Sequence, residues 1–274
     1  MGPLNLIPVV DEGLGNSTYL LDLGEGRALV MDPERDLRQV RAEASSRGLS
    51  IAFAVETHLH ADFISGVAEL AEIEGATVLA PEVGPRSFAH TGLSDGQSVE
   101  MGRFTLQALH TPGHSPEHLS YVLFEDGALA GIFTGGSLMV GTAGRTDLVS
   151  PDMTVPLARA QYRSLQRLME FPDTTPVWPT HGAGSFCSAG GSGERVTTIG
   201  AERATNPLLQ VDGEDAFVDA LLGTLGTFPE YFLRLGEINK RGPAVLREQP
   251  RLTSLSADSV EELIADGAQV IDAR

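Results

Sequence analysis

Short apolar segments separated by tight turns dominate the first third of the chain. Residues 16–22 and 27–31 are both apolar and rich in strand-forming side chains, and the LGEG turn at 23–26 joins them. Two such runs around a glycine-containing turn predict a β-hairpin. Another apolar run predicts a strand over 50–55, and helical spacing of apolar residues predicts a helix over 36–47 before it.

Strands and helices alternate through the rest of the chain. Helical spacing of apolar residues predicts helices over 63–73, 154–170, 213–222, 229–241 and 259–264. Apolar runs between turn residues predict strands over 77–80, 104–110, 119–124, 128–134, 176–179 and 269–274. A segment rich in Gly, Ser and Ala predicts a loop at 183–193. This alternation, together with the hairpin, predicts an α/β fold with mixed sheets.

The composition is that of a folded protein with a sizeable core. Of the 274 residues, 42% are hydrophobic, which excludes disordered, collagen-like and disulfide-scaffold proteins. The formal net charge of −18 repels phosphate backbones, so we expect no binding to nucleic acid. One cysteine against seven histidines favours nitrogen and oxygen metal ligands over a cysteine-built site. No basic leader and no membrane-length apolar run is present, so we expect a cytoplasmic protein without membrane association.

The segment ETHLHADF at 56–63 carries the sharpest chemical signal. It follows a predicted strand and precedes a predicted helix. Residues two apart on an extended strand end point the same way, so His58 and His60 can converge on one site, with Asp62 following from the turn. Two imidazoles and a carboxylate suit zinc, iron or manganese. The alternative is an incidental pair of surface histidines.

Three later strand-end loops also carry histidine or aspartate. HTPGHSPEH at 110–118 turns at its proline and glycine and presents His114, the favoured ligand of that loop. A glycine-rich loop presents Asp147, whose alternative role is to cap the following helix. His181 comes directly after the next predicted strand. Four such loops in one chain indicate a metal site.

Together these motifs resemble the metallo-β-lactamase superfamily, over roughly residues 5–240. The strings THLHADFISG, HTPGHSPEH, GRTD and THGAGSFC resemble its persulfide dioxygenase branch, especially members fused to rhodanese domains. The resemblance implies an αββα sandwich with two mixed β-sheets. It also implies one Fe(II) per chain, held by two histidines and an aspartate, which map onto His58, His114 and Asp147. Zinc is the alternative metal in purified protein.

Two positions depart from the family pattern. Phe63 stands where the dinuclear hydrolases of the superfamily place the last histidine of their HxHxDH motif, and a phenyl ring cannot bind a metal. A second metal ion at Asp62 and His181 would therefore lack one of its three side-chain ligands, which favours a mononuclear site. Residues 182–183 are Gly-Ala where glutathione-using relatives carry Asp-Tyr, so the identity of the thiol stays open.

The resemblance implies that a low-molecular-weight thiol persulfide is oxidised by O2 to sulfite and thiol, as in sulfide detoxification. His60, Asp62 and His181 are then expected to orient water or the metal ligands. Arg145 is a candidate for neutralising an anionic substrate, or else it packs its own loop. Cys187, six residues after His181, is a candidate substrate-binding thiol, or else a small buried side chain.

Two other functions stay open on the sequence. One is a metal-dependent thioester or ester hydrolase of the glyoxalase II type, which Phe63 disfavours. The other is a non-catalytic metal-binding or sulfur-transfer module. An intact ligand set of His58, His114 and Asp147 disfavours that reading.

The C-terminal segment is predicted to be separate from the metal domain. We assign residues 1–242 to a metallo-β-lactamase-like domain, 243–256 to a linker and 257–274 to a partial rhodanese-like segment. VIDAR at 270–274 resembles the first core strand of a rhodanese domain. About twenty residues are too few for a core, so the rest of that domain is expected to be missing from this chain. Relatives also lead us to expect a homodimer.

Overall fold

The first six strands form a mixed sheet, which we call the N-terminal sheet. The computed structural model describes residues 4–84, 86–182, 184–187, 193–247 and 253–271. Across the sheet the strands are β1 (Leu6–Asp11), β2 (Asn16–Gly24), β3 (Arg27–Met31), β4 (Ser50–Val55), β5 (Thr77–Pro81) and β6 (Thr91–Leu93). The first three are antiparallel, and β3 to β6 are parallel. The β2–β3 hairpin turns at Glu25 and Gly26, whose φ angles of 56° and 72° suit a tight turn.

Six later strands form a second mixed sheet, the C-terminal sheet. Its strands are β7 (Ser98–Met101), β8 (Phe104–His110), β9 (Leu119–Glu125), β10 (Ala128–Gly135), β13 (Pro176–Pro179) and β14 (Thr197–Thr198). A short hairpin between β10 and β13, made of β11 (Leu138–Met139) and β12 (Thr142–Ala143), is separate from this sheet. The spatial order in this sheet is β14-β13-β10-β9-β8-β7. Strands β10 and β13 are parallel, whereas the other neighbours are antiparallel.

The helices cover the outer faces of the two sheets. They are α1 (Arg38–Ser46), α2 (Val67–Glu74), α3 (Pro151–Leu168), α4 (Ile199–Thr205), α5 (Gly213–Gly223), α6 (Phe232–Arg241) and α7 (Ala257–Ala265). Apolar faces of α1 and α2 pack on the N-terminal sheet through Val40 and Leu70. Those of α3 and α5 pack on the C-terminal sheet through Leu165 and Phe217. No described helix is long and apolar enough to cross a membrane.

A third apolar cluster lies between the sheets and holds them together. Its largest side chains come from both sheets and include Tyr19, Leu21, Tyr121 and Phe133. The rings of Tyr19 and Phe133 meet edge to face, with centroids 5.6 Å apart. Helices, sheet, sheet and helices therefore form four layers, which confirms the predicted αββα sandwich with two mixed sheets.

One edge of this sandwich collects the loops that carry the predicted site residues. Strands β8, β10 and β13 run in the same direction because β9 lies antiparallel between β8 and β10. Their carboxyl ends therefore meet at one edge of the C-terminal sheet. The loop after β4 reaches the same place from the N-terminal sheet, since the backbone N–H of Leu119 donates to the carbonyl of Thr57.

Several element boundaries differ from those predicted. The helix predicted over 63–73 begins at Val67, because Ser65 is held in a bridge with Glu34 and cannot continue a helix. Helix α3 begins earlier, at Pro151, where proline in the first turn loses no hydrogen bond. The two-residue strands, β6 and β7 were not predicted because each has at most four residues. Strand β1, six residues that include Pro8, was not predicted either.

The predicted C-terminal strand is only partly covered by the described residues. Residues 269–271 are not in a strand, and 272–274 lie outside the described chain. Val270 and Ile271 are 70% and 83% exposed, and neither pairs with a strand of the described residues. Helix α7 buries no side chain, although Ser256 caps it by accepting from the N–H of Ser259. In the loop predicted at 183–193, residues 184–187 and 193 are described and lie outside helix and strand.

Candidate metal centre

Six predicted site residues lie buried at this edge of the sandwich. Their exposed fractions do not exceed 3%, and they are His58, His60, Asp62, His114, His181 and Cys187. Among the described residues, two groups have ligand atoms within 4.8 Å of one another. One contains His58, His60 and His181, and the other contains His114, His181 and Cys187. His181 belongs to both groups, so they form one continuous cluster.

A chain of hydrogen bonds fixes the proton on the His58 ring. The hydroxyl of Thr57 donates to Oδ2 of Asp32 over 2.7 Å, so its oxygen is left to accept. The Nδ1 atom of His58 lies 2.8 Å from that oxygen and therefore carries the proton. The Nε2 atom then bears the lone pair, which is the state that a metal ligand requires.

The rings of His181 and His114 are fixed in the same tautomer. Asn16 donates its amide to Oδ2 of Asp62 over 2.7 Å, so its carbonyl oxygen accepts from Nδ1 of His181 over 2.8 Å. The backbone carbonyl of Arg145, which can only accept, lies 2.8 Å from Nδ1 of His114. In all three histidines the lone pair is therefore on Nε2.

These three rings are neutral and face one another. Burial lowers the pKa of His58 and of His181, and it lowers the pKa of His114 to about 3. The Nε2 atoms of His58 and His181 are 3.4 Å apart. The ring centroids of His58 and His114 are 4.8 Å apart. The facing lone pairs of His58 and His181 repel one another, so this part of the cluster fits a bound cation.

Two further groups near this point lack partners within the described protein. Oδ1 of Asp62 is buried and accepts no hydrogen bond. His60 also makes none of good geometry, although its Nε2 lies 3.2 Å from Oδ1 of Asp32. Burial lowers the pKa of His60, but the nearby carboxylates of Asp32, Asp62 and Glu56 outweigh it and raise that pKa. His60 is therefore the ring that favours the charged state.

Phe63 occupies a place beside His60 that a ligand would need for a second ion. Its side chain is 5% exposed, and its ring stacks on His60 with centroids 4.1 Å apart. Neutral His118 lies nearby but both of its nitrogens are used. Nδ1 contacts the hydroxyl of Thr111, and Nε2 accepts from the N–H of Gly136. His118 therefore offers no free nitrogen to an ion.

Asp147 is paired with Arg145 and belongs to neither group of ligand atoms. Its two carboxylate oxygens accept from Nε and Nη2 of Arg145, over 2.7 and 2.9 Å. The role of Asp147 as a metal ligand stays a prediction. This bidentate pair is the geometry that arginine and carboxylate prefer, and it ties the loop together.

The guanidinium of Arg145 is used entirely within the protein. It also donates to the carbonyls of Phe186 and Gly226 and lies 4.6 Å from the ring centre of Phe228. Its residue is 3% exposed. These contacts agree with the alternative given for Arg145, which is packing of the loop, and its role toward a substrate stays a prediction.

Gly136 lies against the ring of His114, where a larger residue cannot fit. A Cβ atom there would lie 2.3 Å from Cδ2 of His114, whose ring is held by Arg145. Substitution Gly136→Ala should displace that ring, cost about 1–3 kcal/mol of stability and weaken metal binding. Thermal unfolding and metal titration measure both effects. Gly223→Ala, at an open position, is the control; equal behaviour of the two variants would contradict this packing.

Several residues that position the site were not among those predicted. Asn16 and Asp32 flank buried strands, and Gln161 lies on the apolar face of α3, where its oxygen accepts from the N–H of His114. Asn239 on α6 donates to the carbonyls of His60 and Phe63. Gln161 could have been identified from the sequence, because it is a polar residue among the apolar residues on one face of a predicted helix. Asn16 and Asn239 contact residues that are far from them in the sequence, and the spacing of motifs does not reveal such contacts.

A cavity of about 330 Å³ leads from the surface to the cluster. His58 and His114 form its inner wall. Apolar side chains such as Leu148 and Phe232 line much of the rest, together with Glu117, Glu237 and the single lysine of the chain, Lys240. The Nζ atom of Lys240 lies 3.8 Å from a carboxylate oxygen of Glu237. This entrance can admit a small molecule.

Comparison with known proteins agrees with this fold. Residues 11–181 match the model of the metallo-beta-lactamase superfamily. The mitochondrial persulfide dioxygenase of Bos taurus is 32% identical over 203 residues, which is 72% of this chain and 73% of the bovine protein. A hydroxyacylglutathione hydrolase of Pseudomonas paraeruginosa is 33% identical over 168 residues, 61% of each chain.

Two solved structures share the whole architecture. A metallo-beta-lactamase from Staphylococcus aureus superposes with a TM-score of 0.83 at 28% identity, covering 93% of this chain and 77% of that one. ETHE1 from Myxococcus xanthus gives a TM-score of 0.74 at 28% identity, covering 86% of this chain and 97% of that one. With its strand-end cluster of buried histidines, the chain belongs to the metallo-β-lactamase superfamily.

Proposed function

We propose that this protein is a mononuclear non-haem iron persulfide dioxygenase, which oxidises a low-molecular-weight thiol persulfide with O2. The observation that carries the proposal is the replacement of a second-metal ligand by Phe63, which stacks on His60. A site without that ligand suits one ion, whereas hydrolases of this fold use two. The bovine persulfide dioxygenase, at 32% identity, supports the same choice.

The proposed ligands are the Nε2 atoms of His58, His114 and His181. This set keeps the two predicted histidines and joins them through His181, which shares one group of close ligand atoms with His58 and the other with His114. It replaces Asp147, whose oxygens pair with Arg145. Three neutral nitrogens leave about three positions of an octahedral ion for substrate and O2. Iron, when bound there, supplies the redox chemistry that protein side chains lack.

The residues around the site would orient the persulfide and exclude water. Leu148, Val149 and Phe232 form apolar walls beside His58 and His114, which strengthens electrostatic interactions within the cavity. Lys240, on α6, is the cation that the cavity wall presents to an anionic substrate. In this proposal it takes the role first expected of Arg145. The overall reaction converts R-S-SH, O2 and H2O into thiol, sulfite and two protons.

Oxygen uptake by anaerobically iron-loaded protein tests this function. With glutathione persulfide as the probe, we expect one O2 consumed for each sulfite formed, and none with metal-stripped protein. A parallel assay with a glutathione thioester separates the hydrolase alternative. One equivalent of zinc, no O2 uptake after iron loading and rapid thioester cleavage would overturn the proposal.

A further inference from the structure

Ser115 directly follows the proposed ligand His114 and lies on the wall of the entrance cavity. The residue is 7% exposed, and it lines the cavity together with His58 and His114. Consecutive Cα atoms are only about 3.8 Å apart, so the side chain of Ser115 begins beside the backbone of a proposed ligand. Ser115 is therefore close to the place where a bound substrate would react.

The hydroxyl of Ser115 has no partner within the described protein. Its Oγ atom is buried and makes no hydrogen bond, although a hydroxyl can both donate and accept. By contrast, the hydroxyl of Thr111 in the same loop contacts both His118 and Ser120. A buried hydroxyl without a partner is unfavourable. Ser115 therefore keeps a donor that a bound molecule can use.

The backbone on which Ser115 lies is held in place by its neighbours. The carbonyl of Ser115 accepts from the N–H of Gly113 over 3.1 Å. The N–H of His114 donates to Oε1 of Gln161 over 3.0 Å, and its ring donates to the carbonyl of Arg145. A serine side chain has a single torsion with three staggered positions. The hydroxyl can therefore turn toward a molecule in the cavity while the backbone stays fixed.

The surroundings of Ser115 distinguish it from the other unpartnered hydroxyl of the described residues. That hydroxyl belongs to Thr175, which lies at the amino end of β13 and does not line the cavity. Besides the two imidazole rings, the described lining of the cavity contains two side chains that donate, Ser115 and Lys240. The side chain of Lys240 is 42% exposed. The ammonium therefore lies toward solvent, whereas the hydroxyl lies at the buried end of the cavity.

We propose that the Ser115 hydroxyl donates a hydrogen bond to an oxygen of the oxidised sulfur, the group that is released as sulfite. The inference rests on the proposed function, because the terminal sulfur of a persulfide carries no oxygen before the reaction. Sulfur is a weak hydrogen-bond acceptor, whereas an anionic oxygen is a strong one. The hydrogen bond therefore forms as oxygen is added and stabilises the transition state more than the bound substrate. Ser115 is then a catalytic residue.

Calorimetric titration of the zinc-loaded chain with sulfite under argon tests this contact without redox turnover. We expect Ser115→Ala to bind sulfite at least about tenfold more weakly than the wild-type chain, because hydrogen bonds to charged groups are strong. Its zinc affinity should not change. Ser115→Thr keeps the hydroxyl and should retain the affinity for sulfite. Thr175→Val is the matched control, because it removes the other unpartnered hydroxyl and should bind sulfite as the wild-type chain does.

Thermal unfolding of the metal-stripped chain separates this role from a structural one. Because the hydroxyl has no partner in the protein, Ser115→Ala should unfold at the wild-type temperature or above it. A lower unfolding temperature would overturn the inference. In the iron-loaded chain, the same variant should lower kcat and kcat/KM for glutathione persulfide by one factor and leave KM unchanged.

Equal sulfite affinity of the wild-type chain and Ser115→Ala would overturn the inference, and so would a raised KM with an unchanged kcat. A sulfite affinity that depends on Ser115, in a chain without O2 uptake, would refute the proposed function and leave the contact with the oxyanion standing. O2 uptake by a chain whose sulfite affinity does not depend on Ser115 would do the reverse.

Discussion

Substitution of His114 by alanine should abolish stoichiometric binding of iron and all persulfide oxidation. The ring supplies one of three neutral Nε2 atoms, and its orientation is fixed by the carbonyl of Arg145 and by Gln161. Loss of a ligand should cost more than the ~10–100-fold in affinity that follows loss of an outer partner. Calorimetric titration of metal-stripped protein with Zn²⁺, and with Fe²⁺ under argon, measures the effect.

His110→Ala is the matched control for that experiment. His110 lies four residues earlier, and its Nε2 contacts the carbonyl of Pro116 and lies outside both ligand groups. This variant should bind metal as the wild-type chain does. Wild-type affinity in His114→Ala would contradict the assignment of His114. Equal loss in both variants would point to disruption of the loop and contradict a specific ligand role.

Substitution of Asp32 by asparagine should lower both stability and metal affinity. Oδ2 of Asp32 accepts from the hydroxyls of Thr57 and Thr180, and an amide group there would donate instead. The Thr57 hydroxyl would then have to donate to His58, which moves the ring proton to Nε2 and removes the ligand lone pair. We expect a loss of about 3 kcal/mol in the free energy of unfolding and a ~10–100-fold loss in metal affinity.

The pH dependence of the free energy of unfolding distinguishes the contribution of the Asp32 charge from that of the size and shape of its side chain. Burial alone would raise the pKa of Asp32, but the nearby His60 and hydrogen bonds from Thr180 and Thr57 lower it from 3.8 to about 2. Because the folded pKa is the lower one, the stabilisation is complete above about pH 4. It is lost as the pH falls through 2 and amounts to about 2 kcal/mol.

Urea unfolding of metal-stripped wild-type and variant chains between about pH 4 and pH 2 measures this dependence of stability on the Asp32 charge. The stability difference between wild type and Asp32→Asn should narrow as the pH falls. Asp36→Asn is the control, because Asp36 is a half-exposed carboxylate paired with Arg38. It should cost no more than about 0.5 kcal/mol. A difference between wild type and Asp32→Asn that stays constant with pH would contradict the charge argument.

Much of the fold was predictable because its elements are marked locally. The hairpin at β2 and β3 has a turn with its own glycine, and helix α5 was placed within one residue. The start of α2 was missed because Ser65 is tied to Glu34, a residue of another loop. Strand β14 has two residues and forms only through pairing with β13. Contacts of this kind between distant residues leave no repeating pattern of apolar positions in the sequence.

The candidate site was likewise predictable only where local sequence motifs mark it. His58 and His114 were predicted as ligands from strand-end motifs, and their positions in the cluster now support a proposal that keeps both. Asp147 was favoured because it lies in a motif, yet its oxygens are committed to Arg145 two residues earlier. His181 was assigned an orienting role, since nothing in spacing shows which nitrogen of a ring is free. The free nitrogen of His181 becomes known only from its hydrogen-bond partner Asn16, which is 165 residues away in the sequence.

The central claim is that one metal ion is bound between three neutral histidines. The most direct test is the metal-to-chain ratio after anaerobic loading with excess Fe²⁺ and removal of unbound metal, measured by mass spectrometry of the metal. We predict one ion per chain. Two ions per chain would restore the dinuclear centre that Phe63 argues against, and none would show that the cluster is not a metal site.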